Sequence, residues 1–404
     1  MIPYESPRYF IPLIVAIIPL IIAHLKGKKW MGYQAVFTFA FLWLTFGGPN
    51  IRSGIALLCY GVWQVLIVKG YEYYRITLKK NTTHIFIISI LLSLVPLFCV
   101  KLTPFIIHKP SLFGFLGISY LTFKSINVIM EIRDGALKEV KLLHFIYFMY
   151  FFPTISSGPI DRYRRFANDM DESFANKDYI NMLGKGFTCI FIGLFYKFIV
   201  GYLIDIYALH PFAIEATKYP VIFNLLKVMY SYGLYLFFDF AGYSMFAVGV
   251  SYIMGYEIPK NFNLPFISKN IKDFWNRWHM SLSFWFRDFV YMRLVYFIVK
   301  KRVIKNRNVI SNISYFGLFL LMGAWHGLTW YYLAYGAYHA VLMCVTDAWI
   351  RWKKKHKGLV PTGKAIDVIN IVLTFHAVMF SFLIFSGIFD FIIKYPVTKI
   401  LPSW

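Results

Sequence analysis

Apolar stretches long enough to cross a lipid bilayer recur along almost the whole chain. A helix needs about 20 predominantly apolar residues to cross a hydrocarbon core about 30 Å thick. The short alternating segments of a membrane barrel are absent. The sequence therefore predicts an all-α polytopic membrane protein, formed by one domain over residues 1–404. It predicts about eleven crossings: Tyr9–Ala23, Tyr33–Phe46, Ile51–Val68, His84–Val100, Phe113–Met130, Leu142–Ile155, Phe187–Ile206, Val221–Tyr256, Ser314–Trp330, Leu333–Ile350 and Ile366–Ile392.

The composition agrees with this fold class. Hydrophobic residues make up 59% of the 404 residues and charged residues only 15%, whereas a soluble domain carries about 25% charged residues. The first apolar stretch is followed by the basic segment His24–Trp30, without a small-residue cleavage pattern. This predicts a retained first helix whose C-terminal end faces the cytoplasm.

Basic residues are in strong excess in the loops. The chain has 42 Lys and Arg against 19 Asp and Glu, a net charge of +23. Basic loops stay on the cytoplasmic side of a membrane, where they also attract anionic lipid headgroups or an acidic protein partner. Nucleic acid is disfavoured because no soluble domain exists to bind it. If every span simply alternated in direction across the membrane, not all of the basic clusters would lie in the cytoplasm. Some helices are therefore expected to enter the membrane only halfway and to line a cavity.

One histidine stands inside an apolar stretch. His326 falls in Ser314–Leu342, which contains no Lys, Arg, Asp or Glu. Ionisable groups inside a membrane are costly and usually face a cavity or a partner. Imidazole titrates near neutral pH and accepts a proton from a hydroxyl, and Gly323 and Gly327 leave room for a backbone or a substrate. Position alone leaves two roles about equally open: a catalytic base and a hydrogen-bonded packing residue.

The segment Asn261–Lys300 carries a second set of polar residues. Asn276, His279 and Ser283 fall on one polar face of the predicted helix. The segment is too polar to cross lipid and too aromatic for a solvated loop, so it predicts an interfacial or re-entrant helix. Its apolar residues recur at helical spacing and predict one stripe: Trp275, Trp278, Leu282, Trp285 and Phe289.

Two further polar residues admit two interpretations each, and a third is expected to be structural. His279 either orients a reactant beside His326 or packs, and position alone favours packing. Asp239 either orients a catalytic group or binds substrate, or it is a partner for a buried Arg or for backbone donors, with the second interpretation slightly favoured. His339 lies thirteen residues after His326, on a different helix face, and is expected to be structural.

The remaining chemistry-bearing residues form no known motif. The chain contains no HExxH, CxxC or GxSxG, so neither a metal site nor a serine-hydrolase triad is expected. Four cysteines lie in apolar stretches and are predicted to be buried, reduced packing residues: Cys59, Cys99, Cys189 and Cys344.

Six segments in order resemble the membrane-bound O-acyltransferases. Each segment alone is moderately specific, and the six together are very specific. His326 in WHG matches the family's essential histidine, and His279 in RWHMSLS matches a second position, often Asn or His. Ala340 replaces the glycine that usually follows GAYH, which we interpret as a packing change. The segments are GISYLTFKSI at Gly117–Ile126, FFPTISSGPIDRY at Phe151–Tyr163, FDFAGYSMFAVG at Phe238–Gly249, FWNRWHMSLSFWFRD at Phe274–Asp288, GAWHG at Gly323–Gly327 and GAYHA at Gly336–Ala340.

The resemblance implies a fold, a reaction and a site. Helices would surround a central polar tunnel in which donor and acceptor meet from opposite faces. His326 would act as general base in acyl transfer to a hydroxyl, while His279 would position a reactant or stabilise the oxyanion. No clear Ser or Cys nucleophile is present, so direct transfer is expected. The implied substrate or tunnel residues are Asp239, Asn276, Ser283 and Trp325.

Within the family, the compact chain and the segment Phe284–Asn308 are most similar to a D-alanyl transfer branch. Its members take D-alanine from the phosphopantetheine thioester of a small acidic carrier protein and help to pass it to teichoic acid. The chain itself would bind no cofactor. Met292, Val295 and Tyr296 are expected to make apolar contact with the carrier. Lys300, Lys301 and Arg302 are expected to steer its acidic surface. For these three charges, anchoring on the cytoplasmic side of the membrane is the alternative.

The resemblance also implies a location and leaves two alternative functions. We expect a multi-pass protein in the cell membrane of a Gram-positive bacterium, beside other membrane proteins of the D-alanylation pathway. The acceptor would be teichoic acid or a lipid-linked molecule. A polysaccharide O-acetyltransferase of the alginate-acetylation branch is the first alternative. A transporter or channel that relays protons through the histidines is more distant, since further intramembrane carboxylates and symmetric repeats are missing.

Overall fold

The structure is a computed structural model that describes residues 3–48, 51–107, 115, 117–172, 176–356, 358–359 and 361–394. Helices and their connections account for all of these residues, and no strand occurs among them. The all-α prediction is confirmed.

The described residues form eighteen α-helices, several of which continue into a short π-helical turn. Backbone contacts group them into two compact units, residues 1–193 with 243–259 and residues 194–242 with 260–404. The prediction of a single domain over 1–404 stays a prediction. The helices are α1 Phe10–Leu25, α2 Met31–Leu42, α3 Ile51–Glu72, α4 Thr83–Ile107, α5 Ile118–Arg133, α6 Leu142–Tyr150, α7 Tyr163–Asp171, α8 Asn176–Leu194, α9 Tyr202–Ile204, α10 His210–Lys218, α11 Ile222–Ile253, α12 Ile271–Trp275, α13 Met280–Phe286, α14 Met292–Lys301, α15 Arg307–His326, α16 Trp330–Lys355, α17 Lys364–Phe385 and α18 Ile388–Lys394.

Seven helical stretches among the described residues are long and apolar enough to span a membrane. The other predicted crossings correspond to α2, α5, α6 and α16, which are shorter or more polar. Most of residues 113–117, at the start of one predicted crossing, lies outside the described residues. The polytopic organisation is thus confirmed, while the count of eleven stays a prediction. The seven stretches are Pro7–Leu25, Ile51–Thr77, Thr83–Pro104, Asp178–Lys218, Ile222–Ile253, Arg307–His326 and Lys364–Phe385.

In the second unit, α15 and α16 form an antiparallel hairpin. The apolar stretch that contains His326 is interrupted at Gly327, whose backbone is extended, and α15 ends at His326. Two glycines let the helices approach closely. A Cβ atom on Gly323 would lie 2.4 Å from the carbonyl oxygen of Tyr332, and one on Gly336 would lie 2.3 Å from that of Phe319. The space predicted beside Gly323 is therefore filled by the backbone of the next helix.

The segment Asn261–Lys300 departs from the single helix that its periodicity predicts. It is divided into α12, α13 and α14, with a turn over residues 276–279 and a π-helical turn over Arg287–Tyr291. His279 adopts a left-handed conformation with φ 42°, which ends the helical register. The Met280 amide donates instead to the Asn261 carbonyl at 2.8 Å. The prediction of one polar face is therefore wrong, although the aromatic stripe residues are all buried.

The prediction that all four cysteines are buried is wrong for Cys59 and Cys99, which are exposed. Both lie on stretches apolar enough to span a membrane, where an apolar side chain can face lipid instead of packed protein.

Candidate active site

His326 ends α15 inside a shell of aromatic rings. The Phe385 ring stands edge-on to it at 4.9 Å and the Tyr335 ring edge-on at 6.2 Å. Trp325 packs against its other side at 4.5 Å. The C-terminal end of a helix carries partial negative charge, which favours a cation there by about 0.3–1 kcal/mol. The protonated form of His326 is therefore stabilised at this position.

His279 is held in the turn between α12 and α13. Its ring meets the Phe240 ring edge-on at 4.7 Å, and its Nε2 is buried without a hydrogen-bond partner among the described residues. Burial, and secondarily the charge of neighbouring His326, lowers the pKa of His279 to about 3. His279 is therefore a neutral imidazole at ordinary pH, with one buried nitrogen left for a ligand.

Both histidines line one small cavity of about 60 Å³. Position in the sequence left a common site as one of two interpretations, and the fold brings the two histidines to one cavity across 47 residues of sequence. The lining is otherwise apolar and mostly aromatic: Leu236, Phe240, Trp275, Trp278, Leu282, Met322, Tyr335, Phe382 and Phe385.

A second cavity, of about 200 Å³, shares Trp275 and Met322 with the first. Lys272 and Arg287 bring positive charge to its wall. Two of the predicted substrate residues, Asn276 and Ser283, line this cavity rather than the one with the histidines. The remaining lining comes from Phe284, Tyr291, Met292, Tyr315, Leu318, Phe319 and Met343.

Hydrogen bonds and ion pairs fix the wall of the second cavity. The Lys272 Nζ lies 3.0 Å from the Asp347 Oδ1, and the Tyr315 hydroxyl donates to the other oxygen of that carboxylate at 2.9 Å. The indole N–H of Trp275 donates to the Nδ1 of His339 at 3.3 Å. His339 is fully buried, and this bond fits the structural role expected of it.

Asp239 lies outside both cavities. Its carboxylate forms an ion pair with Lys197, although Leu236 and Phe240 on the same helix line the histidine cavity. The partner is thus a lysine, where position alone slightly favours a buried Arg or backbone donors. A direct role of Asp239 in substrate binding stays a prediction.

The predicted carrier surface lies on α14 and just after it. Met292 and Tyr296 are 54% and 66% exposed, while Val295 is half-buried. Lys300, Lys301 and Arg302 are exposed where the helix ends. Met292 also lines the second cavity. An exposed apolar helix face with basic residues at its end therefore adjoins the second cavity, which shares Trp275 and Met322 with the histidine cavity.

Sequence reasoning missed several residues of the site. Phe240, Tyr335 and Phe385 surround the histidines, yet each stands in an apolar helix where nothing local distinguishes it from lipid-facing neighbours. No sequence feature identified Lys272 as a residue of the site either. Only the burial of Tyr335, which is 3% exposed, separates it from the exposed aromatic residues nearby.

Comparisons with known proteins find relatives over most of the chain. A family described as MBOAT, the membrane-bound O-acyltransferases, matches residues 55–389. The chain is 51% identical to a teichoic acid D-alanyltransferase of Bacillus subtilis, over 96% of this chain and 98% of the relative. It is 46% identical to the Streptococcus thermophilus protein of the same description, over 95% of each. A probable alginate O-acetylase AlgI of Pseudomonas syringae is 31% identical over 67% of this chain and 49% of the relative.

Proposed function

The chain belongs to the membrane-bound O-acyltransferase family, and on that premise we propose that it transfers D-alanine in the D-alanylation of teichoic acid. It is a multi-pass membrane enzyme, an O-acyltransferase. The near full-length identity to teichoic acid D-alanyltransferases favours this substrate over acetate, because the alginate O-acetylase relatives match only about half of their own length. The organisms of these relatives support a place in the cell membrane of a Gram-positive bacterium.

His326 is the general base of this proposal. The hydroxyl oxygen of the acceptor attacks the carbonyl carbon of the D-alanyl thioester while His326 takes the hydroxyl proton. The tetrahedral intermediate then collapses, the C–S bond breaks, and the proton passes to the leaving thiolate. The position of His326 at the C-terminal end of α15 stabilises the imidazolium that exists between these two proton transfers.

His279 serves as a hydrogen-bond donor to the reacting carbonyl. Its Nε2 is buried and without a partner among the described residues, so it costs energy unless a ligand occupies it. A neutral imidazole protonated at Nε2 donates to the carbonyl oxygen as negative charge develops there. Removing one such donor typically costs about 100- to 1,000-fold in kcat.

The observation that carries the proposal is the set of residues shared between α14, the second cavity and the histidine cavity. Met292 belongs both to the exposed face of α14 and to the second cavity, and Trp275 and Met322 belong to both cavities. An acidic carrier protein docked on α14 would pass its phosphopantetheine arm along this route. Lys272 and Arg287 would meet the phosphate of the arm, and the aromatic lining beyond would exclude water from the thioester.

Reconstitution tests the proposal directly. Purified protein in liposomes is given a D-alanyl carrier thioester on one side and teichoic acid on the other, and D-alanyl ester formation is measured. His326→Ala should abolish transfer while leaving carrier binding intact. His356→Ala, at a half-buried histidine just after α16 and outside both cavities, is the matched control and should behave as wild type. Normal transfer by His326→Ala would refute the catalytic role.

The donor assay also decides between the two acyl groups. The same carrier loaded with acetate should give at least about tenfold less ester if the enzyme is a D-alanyltransferase. Equal or faster acetyl transfer would favour the polysaccharide O-acetyltransferase alternative, while leaving the assignment to the family intact. A transporter or channel is no longer retained, because the family consists of acyltransferases.

A further inference from the structure

Tyr335 lines the histidine cavity, and the reaction described so far gives its hydroxyl no role. The side chain projects from α16, is 3% exposed and borders the cavity together with both histidines. No other residue in the described part of the chain forms a hydrogen bond with this hydroxyl. A buried polar group without a partner is costly. The hydroxyl is therefore available to a ligand that enters the cavity.

Tyr335 also belongs to a corner of three aromatic rings. Its plane is inclined by 89° to the imidazole of His326 and by 66° to the ring of Phe385, while Phe385 is inclined by 88° to His326. The ring centroids are 4.9–6.2 Å apart, and all three rings line the cavity. The face of a phenol or phenyl ring attracts a cation within about 6 Å of its centroid. A small cationic group in this corner therefore lies within reach of Tyr335 and Phe385.

The D-alanyl donor of the proposed reaction brings such a group into the cavity. Its amino nitrogen is two bonds from the carbonyl carbon, about 2.5 Å away at ordinary bond lengths and angles, so it must enter wherever the carbonyl reacts. His326 acts on the acceptor hydroxyl and His279 on the carbonyl oxygen, which leaves the amino group to another side chain. No Asp or Glu occurs among the described residues that line the cavity, so an ion pair is not the means of recognition.

The hydroxyl of Tyr335 fits this task better than the other polar groups of the wall. The indole N–H of Trp275 already donates to His339. Trp278 has only an N–H, which cannot accept a hydrogen bond. A phenol hydroxyl both accepts and donates, so it can bond to an ammonium group or to a neutral amine.

We propose that Tyr335 recognises the amino group of the D-alanyl donor, through a hydrogen bond to its hydroxyl and through the aromatic corner that it forms with Phe385. Tyr335 thereby selects an aminoacyl donor over a plain acyl donor, and it takes no part in making or breaking bonds. This inference rests on the proposed D-alanyl transfer and names the residue that selects the donor.

A pair of donors that differ only in the amino group tests this role. Carrier protein loaded with D-alanine is compared with carrier loaded with propionate, which has the same carbon chain, in the liposome assay. Tyr335→Phe should lower kcat/KM for the D-alanyl donor at least about tenfold and leave kcat/KM for the propionyl donor unchanged. The preference for D-alanine then falls by the same factor, which corresponds to about 1.4 kcal/mol.

Tyr338→Phe is the matched control on the same helix. The Tyr338 hydroxyl donates to the Ala377 carbonyl at 3.2 Å, and Tyr338 is not one of the residues that line the cavity. This variant should unfold at a lower temperature and keep the donor preference of wild type. Tyr335→Phe should show the reverse, an undiminished unfolding temperature with a lost preference, because its hydroxyl gives up no bond within the protein.

The two readouts leave the proposal open to refutation in several ways. If Tyr335→Phe slows both donors alike, the hydroxyl acts on the carbonyl or the acceptor and the proposal is overturned, as it is if neither donor is affected. A lowered unfolding temperature or a loss of folding in Tyr335→Phe also overturns it, because the hydroxyl would then be bonded inside the protein. The proposed function fails by a different result, namely a wild-type protein that transfers no D-alanine or does not prefer it to propionate.

Discussion

The close contact between α15 and α16 makes Gly323→Ala a sharp test of how the active site is positioned. The added Cβ would lie 2.4 Å from the Tyr332 carbonyl oxygen, whereas ordinary contacts begin at 3.4 Å. The two backbones must therefore separate by about 1 Å. Overpacking of this kind costs about 1–3 kcal/mol. His326 follows three residues later on the same helix, so a shift of this size reaches the base itself.

A misplacement of about 1 Å can cost about 100-fold in rate. We therefore expect kcat for D-alanyl transfer by Gly323→Ala to fall by about that factor, with little change in the KM for the carrier, because α14 is untouched. Gly336→Ala makes an equally short contact, 2.3 Å from the Phe319 carbonyl oxygen. Phe319 lies about 10 Å along the helix axis from His326 at 1.5 Å per residue. Gly336→Ala should destabilise as much and slow the reaction less.

The assay is reconstituted transfer in liposomes, with thermal unfolding of each purified variant measured in parallel. Gly184→Ala provides the control, because a Cβ at that helical position meets nothing within 4 Å. Its activity and unfolding temperature should match or slightly exceed those of wild type. Wild-type kcat in a stably folded Gly323→Ala would refute the idea that this helix contact sets the position of His326.

Three further predictions concern the site. The pKa of His279 is near 6.5 in the unfolded chain and about 3 in the folded one, so the free energy of unfolding should fall as pH drops below about 6.5. The stability of His279→Gln should therefore depend less on acid pH. An unchanged pH dependence would contradict the burial of a neutral ring. Met292→Asp should raise the KM for the carrier at least about tenfold without changing kcat. Lys218→Glu, at an exposed position on α10, should leave that KM unchanged. Equal effects of the two variants would exclude α14 from carrier docking. Replacing Lys300 and Lys301 by Gln should weaken the salt dependence of carrier association, and an unchanged salt dependence would reduce these residues to membrane anchors.

Much of the fold follows from hydropathy, because a bilayer constrains length and polarity together. The crossings at Phe10–Leu25 and Ile222–Ile253 begin and end within a few residues of their predicted limits. The end of α15 at His326 was not predictable in the same way. The stretch around it is continuously apolar, and only the extended backbone of Gly327 interrupts the helix.

The geometry of His279 shows why the candidate site could be predicted only in part. Periodicity placed it on a helix face. In the structure, the Asn263 amide donates to the Arg277 carbonyl and the Met280 amide donates to the Asn261 carbonyl. These tertiary hydrogen bonds override local propensity, and His279 adopts a left-handed conformation. The resemblance identified both histidines without their surroundings. Phe240 and Phe385 reach the cavity from helices far apart in sequence, and no local pattern signals that convergence.

Trp275 is common to the walls of both cavities, and its indole is held by His339. An activated thioester is always in competition with hydrolysis, so an enzyme of this kind is judged by yield as well as by rate. Trp275 borders both cavities, so in the proposed reaction a displaced indole would admit water and raise the fraction of the donor thioester that is hydrolysed.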